Sequence, residues 1–105
     1  MTGTTDTATD TIIAAAMTKL AEGGTAEHLR GVACDALVNL DVAKWGEGER
    51  DASRRHHSRR SVGLAVNEMA NRALFAGMEA EASALREIAK AHFTDDDVRF
   101  LRSGG

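Results

Sequence analysis

The sequence predicts an all-α protein, a small helical bundle of three to five helices that associates into an oligomer. Three observations carry this expectation. The 105 residues include no proline and 19 alanines, so nothing interrupts the backbone ladder and the commonest residue loses no side-chain entropy in a helix. Apolar residues recur at three- and four-residue spacing in several separate stretches. Glycines and threonines stand between those stretches, where helices stop and start. Oligomerisation follows from size, because a chain this short buries only a modest share of its surface alone.

The elements follow in order. Residues 1–9 are small and polar and read as a flexible tail, with Thr9 or Asp10 capping the first helix. Ile12, Ile13, Ala16, Met17 and Leu20 form its apolar stripe, and Gly23-Gly24 stops it. Thr25 caps a second helix, with Glu27 favourably placed in its first turn. Its stripe runs through Leu29, Val32, Ala33, Leu37 and Leu40, widened by Val38, Val42 and Trp45, a breadth that suits two neighbours or a partner subunit. Gly46 and Gly48 end it.

From Glu49 to Ser61 the only apolar side chain is Ala52. A stripe then resumes at Val62, Val66, Met69, Ala70, Ala73 and Leu74. Projected back at 100° per residue, Arg59 and Arg55 occupy the direction of Val62 and Val66. Upstream of Val62 the helix must therefore overhang the bundle, pack on something polar, or give way to a loop. Ala82, Leu85, Ile88, Ala89 and Phe93 mark the next helical segment, and the pattern leaves open whether Gly77 separates the two. Thr94 followed by three aspartates restarts a short helix through Val98, Phe100 and Leu101. The expected organisation is one helical domain over residues 10–102, with residues 103–105 loose. Its core is expected around Met17, Leu37, Val66 and Leu85, each worth roughly 1.5–3 kcal/mol when buried.

The net charge of −3 conceals an asymmetry: residues 1–53 carry −5 and residues 54–105 carry +2. A pI near 5.8 argues against general polyanion binding and confines any such binding to a local patch. Cys34 is the single cysteine, so no internal disulfide or thiolate metal cluster can form. No secretory signal and no membrane-spanning run is apparent, and a cytoplasmic location is expected.

The patch is the tract Arg54-Arg55-His56-His57-Ser58-Arg59-Arg60. Four guanidiniums and two imidazoles in seven positions are expected to face water, an acidic partner or a phosphate. Arg54, Arg55, His56, His57, Arg59 and Arg60 are the candidate partner-binding residues. The alternative is a solvated helix face, offset by Glu47, Glu49 and Asp51. No aromatic lies between Arg50 and Arg60, which disfavours a platform for stacking single-stranded bases. His56 and His57, about 100° apart on a helix, cannot readily share a metal and suit a pH-sensitive charge, with flanking arginines lowering their pKa. His28, Cys34 and His92 are scattered and read as structural.

Catalytic patterns are missing. There is no Glu-x-x-His pair, His-Glu-x-x-His run, phosphate-binding glycine loop or glycine-flanked serine. A helix-turn-helix around Ala73, Gly77 and Met78 fails because Ser83 and Arg86 stand where apolar residues belong. Trp45-Gly46-Glu47-Gly48, mid-chain, resembles the Trp-x-Gly turn of the small secreted WXG100 proteins. Phe93 with Asp97 resembles their C-terminal Tyr-x-x-x-Asp signal, with Phe in place of Tyr. That resemblance implies a secreted helical hairpin. Glu47 departs from it by replacing the motif's glycine, and Gly23-Gly24 would break its first long helix.

The residues themselves point to a non-enzymatic accessory or regulatory protein without cofactor or metal. It is expected to bind an acidic protein surface, or a second copy of itself, through the Arg/His tract. A phosphate or nucleic acid is the rival ligand for the same residues, and no membrane is expected as a partner.

Overall fold

The computed structural model describes residues 7–104, so most of the expected tail and the final glycine lie outside it. Six α-helices occur among the described residues: α1 (Thr7–Leu20), α2 (Ala26–Trp45), α3 (Arg50–His57), α4 (Val62–Phe75), α5 (Glu79–Ala91) and α6 (Asp95–Arg102). A 3-10 turn at Glu47–Glu49 joins α2 to α3. The all-helical class is as expected, and the count exceeds the three to five helices predicted. The excess is α3, which forms from a segment with almost no apolar residues; the short helix α6 is as the Thr94 cap indicates.

Helix α1 starts at Thr7, so Thr9 and Asp10 lie inside it rather than capping it. Its C-terminal end is closed by α2. His28 Nε2 donates to the Lys19 carbonyl at 2.6 Å, satisfying one of the orphan carbonyls of a helix end. The His28 ring lies so close to Gly23 that an added Cβ would sit 3.1 Å from it. Thr25 caps α2 by accepting from His28 N at 3.1 Å. Gly46, at φ 108°, ends α2. Gly77, at φ 82°, separates α4 from α5 and settles the break left open by periodicity.

The core runs through α1, α2, α4 and α5. Leu37, Val66, Met69 and Leu85 are fully buried, together with Ile13, which takes the central place expected of the half-buried Met17. Alanines at 33, 65, 70, 73, 82 and 89 are buried among them, which lets the helices approach closely. Helices α4 and α5 form the most extensive pairing. At its far end Gly63 allows a close approach: a Cβ there would lie 2.6 Å from Phe93 Cδ1 and 3.0 Å from the His92 carbonyl oxygen.

Helix α6 is tied on by polar contacts. Thr94 and Asp97 form a capping box, and the buried Asp97 also accepts from the Ser61 hydroxyl at 2.8 Å. Ser61 in turn caps α4 by accepting from Leu64 N at 3.2 Å. The motif similar to WXG100 proteins therefore sits in a six-helix chain rather than a two-helix hairpin, with Phe93 and Asp97 serving packing and capping. No described helix is long and apolar enough to cross a membrane.

Candidate functional site

Helix α3 and the turn after it display the Arg/His tract. The helix has Asp51 in its first turn and Arg54, Arg55, His56 and His57 in its last, an order that suits the helix dipole. It stops at Ser58, whose N–H closes on the Arg54 carbonyl at 3.0 Å. Arg59 and Arg60 lie in the connection to α4. Arg55 and Arg59 therefore do not share a continuous helical face. Of the three outcomes open for the chain upstream of Val62, it is a polar-packed helix followed by a turn.

The six candidate residues separate. Arg54, Arg55, His56 and Arg59 are exposed, and Arg60 is half-buried. His57 is only 1% exposed, which corrects the expectation that the whole tract faces outward. The cause is Asp41 on α2. Ser53 and His57, four residues apart on α3, both reach its Oδ2: the Ser53 hydroxyl donates at 2.8 Å and His57 Nε2 donates at 3.0 Å. The other oxygen accepts from Arg72 Nη1 of α4 at 3.0 Å, and Arg72 Nε donates to Glu68 at 3.1 Å. One carboxylate thus joins α2, α3 and α4.

Burial opposes the Asp41 charge, but the hydrogen bonds from Ser53 and His57 and the pairing with Arg72 outweigh it and hold the carboxyl below its usual range. For His57, burial is the largest effect and disfavours the imidazolium. Asp41 pulls the other way, while His56 and Arg60 reinforce burial, and the net pKa is lowered. A carboxylate only accepts, so Nε2 carries the His57 proton and Nδ1 is a bare, buried acceptor without a partner.

Serine, histidine and aspartate meet here without forming a nucleophilic triad. Both the hydroxyl and the imidazole donate to the same carboxylate oxygen, whereas an activated serine must donate to the imidazole. The cluster is a structural tie.

The four arginines of the tract are organised differently. Among the described residues none of Arg54, Arg55, Arg59 and Arg60 pairs with a carboxylate; Glu47 pairs with Arg50 instead. Arg60 Nη2 faces His56 Nε2 at 3.3 Å. Arg54 of α3 and Arg30 of α2 both act on the Cys34 thiol. Burial is the main cause raising the Cys34 pKa, helped by Asp35 and opposed by the two arginines. This thiol is a buried neutral group. No cluster of metal-ligating side chains occurs among the described residues.

Sequence reading missed Asp41, Ser53 and Arg72. A signal was present for the first: Asp41 stands four residues after Leu37 and next to Leu40, within the apolar arc of α2. A carboxylate there must find donors. Comparison with protein-family models, curated proteins and solved structures finds no match to this chain.

Proposed function

We propose that this protein is a non-enzymatic accessory or regulatory module that binds an acidic protein surface through Arg54, Arg55, His56, Arg59 and Arg60. The supporting observation is that these four arginines have no carboxylate partner within the described chain, although Glu47, Glu49 and Asp51 lie a few residues upstream. Arginine forks suit carboxylates geometrically. His57 leaves the binding set because its imidazole is committed to Asp41. A reducing compartment suits the lone buried thiol of Cys34.

The test compares the wild type with Arg55→Glu/Arg59→Glu as immobilised baits in lysate of the source cells, with and without nuclease. Both positions are exposed, so the fold should persist, with a loss of about 1 kcal/mol from reversing the charge in the last turn of α3. Capture of an acidic protein should survive nuclease and be lost in the variant. Equal capture by both baits would leave the tract a solvated face. Retention that vanishes with nuclease and falls steeply with salt would assign the tract to nucleic acid instead.

A further inference from the structure

The chain has four aromatic residues, and three of them are exposed. Two of the three line one groove. Trp45 closes α2 and Phe75 closes α4, and their exposures are 67% and 90%. Both border a groove of about 650 Å³ that α1, α2 and α4 enclose between them. Leu40 contributes to its apolar lining. Trp45 has Lys44 over its ring, the ammonium 5.0 Å from the centroid. The ionic groups of the groove balance: Asp41 and Glu68 against Lys44 and Arg72, with Arg72 bonded to both carboxylates.

This face differs in kind from the Arg/His tract. Its balanced charge gives a strongly acidic or basic partner nothing to select. Its shape combines a projecting ring, Phe75, with a recess beside it. A patch that carries both a projection and a recess, and equal numbers of both charges, can complement itself across a two-fold axis. We infer that the Trp45–Phe75 face is the contact between two copies of this chain, each Phe75 entering the groove of the other.

The area sets the expected strength. Two tryptophans and two phenylalanines cover roughly 600–1,000 Å² together. Stable interfaces start near 1,200 Å². The groove walls narrow that gap, so the dimer should be modest in affinity and insensitive to salt, because apolar contact dominates it.

Trp45 is the only tryptophan and so reports on this face alone. The experiment follows sedimentation equilibrium and tryptophan emission of the full chain from about 1 µM to about 1 mM, in low and high salt. Mass should double with concentration, and emission should shift to the blue in step. Phe75→Ser and Ala43→Arg, the latter at an exposed position on the groove wall, should stay monomeric with red-shifted emission and an unchanged helical circular dichroism spectrum. Arg55→Glu/Arg59→Glu should dimerise like the wild type, which separates this interface from the acidic-partner proposal. A monomer at all concentrations, emission independent of concentration, a dimer that survives both groove variants, or one lost in the arginine variant would each overturn the inference.

Discussion

Asp41 takes three donors from two helices, and the side chain of His57 is the one most constrained by the arrangement. Its buried ring is carried by α3, faces Asp41 of α2 and lies near Ser53, His56 and Arg60, with Arg72 of α4 on the far side of the carboxylate. Its folded pKa is lowered from an ordinary 6.5, so the unfolded chain takes up the proton first as pH falls. Stability from the neutral ring is intact above that pH and declines below it until the folded group also protonates. Asp41 adds a second window. Its carboxyl is held below 3.8, so its contribution is present above that value and disappears as pH falls through the folded pKa. The melting temperature should therefore drop between about pH 7.5 and about pH 5.5. His57→Gln retains an N–H donor toward Asp41 but cannot titrate, so its drop should be visibly smaller. A slope equal to that of the wild type would place the titration on another histidine. Nothing in the local sequence separates His57 from His56; only the direction of Asp41 does.

At the scale of elements, most glycine and threonine signals mark helix ends, whereas polar packing upstream of Val62 is only one of three outcomes the sequence allows. Thr25 and Thr94 cap α2 and α6, and Gly46 ends α2, as their positions indicate. Helix α3 was invisible to hydrophobic periodicity because its inward face carries Ser53 and His57 in place of aliphatic residues. The expected stripes also overran. Trp45 and Leu74 sit at helical spacing yet face solvent, because no described helix packs over them. Gly63 shows the opposite limit, a residue whose importance depends on a contact 30 positions away. Gly63→Ala gains up to about 1 kcal/mol of helix propensity. It also forces a Cβ against the Phe93 ring and the His92 carbonyl, and overpacking costs about 1–3 kcal/mol. The net change should be destabilising, read as a lower urea midpoint with an unchanged slope. A higher midpoint would mean that α5 yields easily at this end.

For the whole molecule, one aliphatic core across α1, α2, α4 and α5 holds the fold, and polar ties attach α3 and α6 to it. Leu37 lies at the centre of that core with no exposed surface. Leu37→Asp removes a contribution of roughly 1.5–3 kcal/mol and strands a carboxylate in apolar surroundings. With total stabilities near 5–15 kcal/mol, this should abolish the cooperative melt and the helical circular dichroism signal. A variant melting like the wild type would move the core elsewhere. The all-helical class, the central residues Leu37, Val66 and Leu85 and several helix ends were determined by sequence alone, because alanine content, helical spacing and caps act within a few residues of chain. Tertiary structure alone decided that α3 is a helix, that His57 turns inward while Arg54, Arg55 and Arg59 stay out, and that Trp45 and Phe75 share one groove. Each of those outcomes depends on groups brought together from distant parts of the chain. Hydrogen-bond partners and missing neighbours leave no periodic trace in the sequence that contains them.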